Sequence, residues 1–372
     1  MASYWLAEES TAVERRPLRR TPDLEIVGGG VTGVSCALAA ARAGLVVRLH
    51  DARGIAEGAS GRNGGFALRG GALAYDQARE YMGADALDYW RLTEGALDRM
   101  AELVPDAFRR GGSLRLALDA EERDEIRAEY EALRADGLDA EWREELEGPL
   151  AGRFTAAILH PGDAALQPAR FVRSLAHLAV EAGVEVVEHH RIGSIDELEA
   201  ERIVVATDGY PSGLLGALEG AIIPTRGQMI ATEPLEERLF ELPHYGRHGF
   251  DYWHQTPDGR ILAGGFRDAA LDSEFTDEEV TTRVVQSALE SFVADIAGRP
   301  LRIEQRWAGI FGLVLDFLPV VGPLPGSDRV WIAGGYSGHG NVLGFLCGEL
   351  VAAAITAEPH PLLARFDPAR LL

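Results

Sequence analysis

The sequence predicts an α/β protein in which a Rossmann-like domain, split across the chain, carries an inserted α+β domain with a mixed or antiparallel sheet. Three observations predict it. Residues 24–51 run apolar strand, glycine turn, Ala-rich helix, apolar strand, the order that opens a dinucleotide-binding βαβ unit. The chain closes on another strand, RVWIAGG, which leads through YSGHGN into the apolar helix VLGFLCGELVAAAI. Between these ends, from about 224 to 307, apolar and polar residues alternate between turns, the texture of half-buried strands.

The elements follow in order. Residues 1–22 are polar, contain Pro17 and Pro22, and read as an arm. LEIV is the first strand, VSCALAAARAG a helix whose end at Gly44 suits a left-handed cap, and VVRLHD the second strand. GASGRNGG at 58–65 is a glycine-rich loop. Residues 76–147 are rich in Glu, Arg and Asp, with Leu87, Trp90, Leu97 and Met100 at helical spacing, and read as helices. Pro168 opens the helix FVRSLAHLAVEAG, followed by the strand VEVVEHHRI; IVVA at 203–206 is a short buried strand. The expected division is an arm at 1–22; a dinucleotide-binding domain from 23–75, 150–215 and 325–372; and a substrate domain from 76–149 and 216–324, with soft boundaries.

Composition narrows the function. The 58 Asp and Glu outnumber 36 cationic residues, a net charge of −22, which argues against nucleic acid or anionic lipid as a partner. No run approaches the ~18 apolar residues of a membrane span, and the charged N-terminus lacks the apolar core of a signal peptide, so a cytoplasmic location is expected. Cys36 and Cys347 are the only cysteines; both fall in apolar helices, where packing is their expected role. Every cation is arginine, with no lysine in the chain. No His, Asp or Glu cluster has metal-ligand spacing, and no nucleophile elbow is present.

Gly28-Gly29-Gly30-Val31-Thr32-Gly33 satisfies G-x-G-x-x-G in its required strand-to-helix context. Gly28 permits the tight turn, Gly30 lets a pyrophosphate approach the backbone, and Gly33 lets the helix pack on the sheet. The helix start, with Val31 and Thr32, offers amides and a positive dipole to phosphate. Asp51, with Ala52 after it, ends the second strand where ribose hydroxyls need an acceptor. Ala59, Ser60, Arg62, Asn63, Gly64 and Gly65 form a loop whose glycines admit a flat ring system. Gly338, His339, Gly340, Asn341 and Val342 open the last helix, whose N-terminal dipole would stabilise the negative charge of a reduced flavin. Asn341 capping that helix is a compatible role.

The motifs SYWLAE, IVGGGVTG, GASGRNGG, LHPGDAALQPARFVRSLA, VVATDGY, PTRGQM, WAGIFGLVLDFLPVVG and GGYSGHGN occur in an order that resembles the D-amino-acid-oxidase type of flavoenzyme. The likeness is greatest to the gamma-glutamylputrescine oxidase branch and smaller to glycine and sarcosine oxidases. It implies extended FAD and oxidation of a C–N bond in an amine or N-substituted amino acid, by hydride transfer to flavin N5 and hydrolysis of the resulting imine. It also implies that Ile192 meets the adenine through its backbone and that Ala206, Thr207 and Gly209 line the dinucleotide.

The chain departs from that pattern in three places. Phe311 stands where glycine and D-amino-acid oxidases carry a carboxylate-binding arginine, and phenylalanine cannot make that contact. Arg69 matches a carboxylate-binding arginine of sarcosine oxidases, with a surface salt bridge as the alternative. The cysteine that tethers flavin in sarcosine oxidases has no counterpart in 307–322, so FAD is expected to be noncovalent. Their lysine for oxygen chemistry is replaced near Leu262, so reoxidation by O₂ is expected to be slow unless Arg260 or Arg267 turns inward; the acceptor is O₂ or another oxidant. Tyr252 and His254 share a strand face and are candidates to orient an amine, although a His with a local partner is the commoner outcome. Arg226 reads as structural. The expected activity is thus FAD-dependent amine or amino-acid oxidation of a small molecule. A flavin dehydrogenase of a hydroxy acid or polyol, with His254 or His339 as base, and a non-catalytic flavin-binding subunit are the alternatives.

Overall fold

Leu24–Val27 is buried at every position, as a central strand of a parallel sheet must be. Its one polar side chain, Glu25, is held by the Nε2 of His50 at 3.2 Å and by the amides of Glu199 and Ala200 at 2.6 and 2.9 Å. Arg48 also contacts it at 3.2 Å. The computed structural model describes residues 3–372. In it this strand lies within a six-stranded sheet of order Val320–Pro323, Val330–Gly334, Arg202–Val205, Leu24–Val27, Val47–His50, Glu185–Val187. All pairs are parallel except that of Val320–Pro323 with its neighbour. The helices Val31–Arg42, Pro168–Glu181 and Val342–Thr356 pack together beside it. Gly44, at φ +98°, follows the first of them as the left-handed residue.

A second sheet has eight strands, ordered Ile303–Leu313, Ile223–Pro234, Arg260–Gly265, Asp251–Gln255, His244–Gly246, Ser113–Ala117, Ala156–His160, Glu141–Arg143. It is antiparallel apart from the pairing of His244–Gly246 with Ser113–Ala117. Ala156–His160, expected with the dinucleotide segments, therefore pairs in this sheet, and Val320–Pro323, expected with the substrate segments, pairs in the other. A small sheet joins Phe66–Ala67, Ala164–Leu166 and Phe108–Arg110.

Three sequence expectations need correction. Residues 76–147 are not helical throughout: Asp85–Leu103 and Ala120–Ala135 are helices, but Phe108–Arg110, Ser113–Ala117 and Glu141–Arg143 are strands. Charged residues at a strand edge look like a solvated helix face when the partner strand is unknown. The strand after Gly183 stops at Val187, because His189 takes a positive φ of 55°, so Ile192 lies in the loop beyond it. The N-terminal arm is anchored at its start, which the sequence did not reveal. Trp5 is buried and its indole N–H donates to the carbonyl of Asn63 at 2.8 Å; Ser3 bonds the carbonyl of Gly61. No helix among the described residues is long and apolar enough to cross a membrane.

Candidate functional site

An elongated cavity of about 490 Å³ lies along the carboxyl ends of the parallel strands, where ligands bind in open α/β sheets. Gly28, Gly30, Val31 and Thr32 form its floor. The glycine turn is tight for specific reasons. A Cβ on Gly33 would stand 1.9 Å from the carbonyl of Gly28, and one on Gly28 would stand 2.4 Å from that of Ala206. Gly28 and Ala206 both reach the cavity, whereas Gly33 serves the helix–strand packing and lies outside its wall.

The first amides of a helix have no intrahelical partner. Here Val31 donates to Ser60 Oγ at 2.9 Å and Gly29 to Asp51 Oδ2 at 2.6 Å, so Gly30 and Thr32 remain to face a phosphate. Asp51 also accepts from Arg53 at 2.7 Å; burial pushes its carboxyl up against these bonds, and each oxygen keeps a lone pair for a hydroxyl. Asp51, Ala52 and Ile192 line the end towards His190, and Thr207 the middle. Gly209 lies outside the cavity, because its Cα faces Phe311, whose carbonyl carbon would be 2.4 Å from an added Cβ. Gly65, at φ +76° against the Trp5 ring, is likewise a packing residue.

A second cavity, about 230 Å³, shares Ala59, Asn63, Phe311, Gly338 and Asn341 with the first. The two glycine-rich motifs meet at this common wall. The Asn63 amide donates to Asn341 Oδ1 at 2.9 Å, and the Asn341 amide donates to Asn63 Oδ1 at 3.1 Å and to the Phe66 carbonyl at 2.7 Å. Asn341 thus makes no side-chain cap for the helix that follows; it ties that helix start to the loop at 58–65. Arg62, Gly64, His339 and Val342 line the second cavity and not the first.

The candidate catalytic residues separate. Tyr252 and Phe311 both line the second cavity, on either side of Gly227, from whose would-be Cβ their atoms stand 3.7 and 3.8 Å. Burial pushes the Tyr252 phenol up to about 12. His254 shares its face, since both rings pack edge-on against Phe66, yet it does not reach the cavity. Its Nε2 lies 3.0 Å from the Gly64 carbonyl and its ring stacks on Trp5. Burial lowers it to about 3, so it braces the glycine loop as a neutral imidazole. Burial also lowers His339 to about 4.

Arg69 lies apart, in a third cavity of about 520 Å³. Its side chain is 4% exposed and its guanidinium meets Glu94 at 2.7 Å, the Asp139 carbonyl at 2.7 Å and Asp163 at 3.3 Å. It is neither a surface residue nor free for a substrate carboxylate. Arg226 is structural, pairing with Glu274 at 2.8 Å, both side chains buried.

Two residues escaped sequence reasoning. Trp5 and Asp208 sit within quoted motifs, but their roles need partners far along the chain; Arg267, considered only as a cation that could turn inward, does line the second cavity. Asp208 is half-buried at the cavity wall and accepts from the amides of Gly312 at 3.0 Å and Gly335 at 2.8 Å. Cys36 and Cys347 are buried, and burial pushes the Cys36 thiol up to about 12 and that of Cys347 further.

The family of FAD dependent oxidoreductases designated DAO matches residues 23–354. The chain is 28% identical over 380 residues to the probable oxidoreductase OrdL of Rhizobium meliloti, covering 92% of this chain and 86% of that protein. It is also 28% identical to the gamma-glutamylputrescine oxidoreductase of Escherichia coli, covering 93% and 85%. The structure of glycine oxidase from Bacillus cereus shares the fold, with a TM-score of 0.76 at 18% identity, covering 93% of this chain and 98% of that one. The residues present fit the cofactor of such enzymes: the first cavity pairs a helix N-terminus and a strand-end carboxylate with a glycine floor that added Cβ atoms would fill.

Proposed function

The chain belongs to the DAO family of FAD dependent oxidoreductases, and on that premise we propose that it oxidises a C–N bond in a small amine or N-substituted amino acid. The observation that carries this reading is the common wall of the two cavities, where the dinucleotide cavity meets a smaller chamber beneath the start of a 15-residue helix. FAD, when bound, supplies the two-electron acceptor. Asp51, Ser60 and the first turn of Val31–Arg42 hold the adenosine and pyrophosphate. The amides that open Val342–Thr356 would offer the bound group a helix dipole that favours negative charge.

The chamber does the rest by position and dielectric. Among the described residues no Asp or Glu lines it, and Phe66, Met229, Tyr252, Ile310 and Phe311 make it largely apolar. An apolar chamber favours the neutral amine over the ammonium, and the neutral nitrogen's lone pair drives departure of the hydride from the adjacent carbon. Water then adds to the imine and the amine leaves. No separate base is required, which agrees with His339 at about 4 and His254 outside the chamber. An alcohol substrate would need a proton acceptor in the chamber, and His254, one of the two candidates for that role, does not reach it. The names of the relatives, a gamma-glutamylputrescine oxidoreductase and glycine oxidases, also point to nitrogenous substrates.

The test is anaerobic mixing of the holoenzyme with primary amines, N-methyl amino acids and acylated polyamines. Bleaching of the flavin with release of ammonia or amine is expected. No bleaching by any amine, or bleaching by polyols alone, would refute the reading.

A further inference from the structure

Arg267 is the unexplained charge of the second cavity. The strand Arg260–Gly265 ends at a glycine with φ +110°, where a Cβ would stand 1.9 Å from the Phe250 carbonyl. Phe266 follows in the left-handed region at φ +57°. These two turns take the chain off the sheet and set Arg267 in the cavity wall. Its guanidinium carbon lies 4.3 Å from the centre of the Phe250 ring and 5.8 Å from that of Phe311. Two aromatic rings therefore lie within cation–π distance of the group at the cavity edge.

No carboxylate answers it. Asp268, next in sequence, and Asp251, paired across the sheet with Gly265, are both engaged by Arg247, at 2.7 and 2.5 Å. Among the described residues no hydrogen bond or ion pair reaches Arg267, and no Asp or Glu lines the cavity. The other arginine there, Arg62, is turned to the carbonyls of Glu57 and Ala308 at 2.8 and 3.3 Å. Arg69 shows the contrast, since its buried guanidinium pairs with the carboxylates of Glu94 and Asp163 and with the Asp139 carbonyl. A partly buried cation with its donors open and only aromatic faces beside it is stabilised by an anion brought from outside.

We propose that Arg267 is a specificity-determining residue that receives the carboxylate of the substrate. The substrate is then an amine that also carries an acid group. Phe311 forms the flat side of the same subsite, where its phenyl supports the guanidinium instead of binding the carboxylate itself. This inference rests on the amine-oxidase reading for the word substrate, but anion binding at Arg267 is tested without turnover.

The experiment titrates the holoenzyme by calorimetry with cyclopentanecarboxylate and with its uncharged carboxamide, neither of which is an amine substrate. The wild type is expected to bind the carboxylate at least tenfold more tightly. Arg267→Gln should abolish that preference and leave carboxamide affinity within twofold. Arg267→Lys, which keeps the charge but loses the planar fork, should weaken the carboxylate three- to tenfold. A wild type without preference, an Arg267→Gln protein that retains it, or an Arg267→Lys protein equal to wild type would overturn the proposal. Should Arg267→Gln fail to fold, the wild-type pair and Arg267→Lys decide it. Amine oxidation that fails while the carboxylate preference depends on Arg267 would refute the reaction and leave this site standing.

Discussion

Replacing Asp208 should loosen both cavities at once. Its half-buried carboxylate accepts backbone N–H bonds from Gly312 at 3.0 Å and from Gly335 at 2.8 Å. Gly312 lies in the long strand that carries Phe311, one residue before its end, and Gly335 begins the loop that leads to Gly338 and Asn341. The same loop is joined to that strand by the bond from the Ser337 amide to the Gly312 carbonyl at 2.8 Å. Hydrogen bonds to a charged acceptor contribute about 1.5–3 kcal/mol each, so Asp208→Ala should lose about 3–6 kcal/mol. Asp208→Asn keeps one acceptor oxygen and turns an amide donor towards the other N–H, so its loss should be about half that. A domain's whole stability is about 5–15 kcal/mol, so either change should be visible in urea unfolding of the apoprotein followed by tryptophan fluorescence. FAD affinity should fall in both variants, because Phe311, Gly338 and Asn341 form the common wall. An Asp208→Ala protein within 1 kcal/mol of wild type, or one equal to Asp208→Asn, would refute the claim that this carboxylate joins the two segments.

Four further outcomes are expected. Asp51→Ala should weaken FAD binding by about 1–3 kcal/mol, read by titrating apoprotein; unchanged affinity would leave Asp51 only its bonds to Gly29 and Arg53. Acid precipitation should leave all the flavin in the supernatant, since both thiols are buried in helices, and flavin in the pellet would contradict noncovalent binding. Arg69→Ala should destabilise by about 3–5 kcal/mol through the buried Asp163 it leaves without a countercharge, with equal KM changes for acidic and neutral amines; a change confined to acidic amines would restore it as a substrate ligand. Although burial opposes it, the His50 bond and the amides of Ala200 and Glu199 hold Glu25 down to about 2 from the usual 4.5. Its contribution to stability is therefore complete above about 4.5 and lost as pH falls through 2. Glu25→Gln should flatten the fall in urea midpoint between pH 5 and 2.5, and an unchanged slope would remove Glu25 from acid stability.

The fold class and the dinucleotide cavity were legible because their signals are local. A strand, a glycine turn, a helix start and a strand-end Asp51 are set by spacing within about thirty residues, and the cavity has Gly28, Gly30, Thr32 and Asp51 in its wall. GGYSGHGN was legible as a helix opening for the same reason. Its bond to Asn63, 278 residues away, was not, and the capping role considered for Asn341 gave way to that contact.

Charged and titratable side chains divided along the same line. Arg69 and Arg267 are indistinguishable as residue types, and each stands near a glycine turn. Only the folded chain brings Glu94 and Asp163, 25 and 94 residues from Arg69, onto one guanidinium and leaves the other between two phenyl rings. His254 shares the strand face of Tyr252, as alternation requires, but Trp5 from the far N-terminus covers it. Local spacing therefore determined where a dinucleotide can lie, because backbone geometry repeats over a few residues. Which side chains remain free to meet a substrate was decided by tertiary structure alone, because a charge is neutralised by whatever the fold brings within about 3 Å of it.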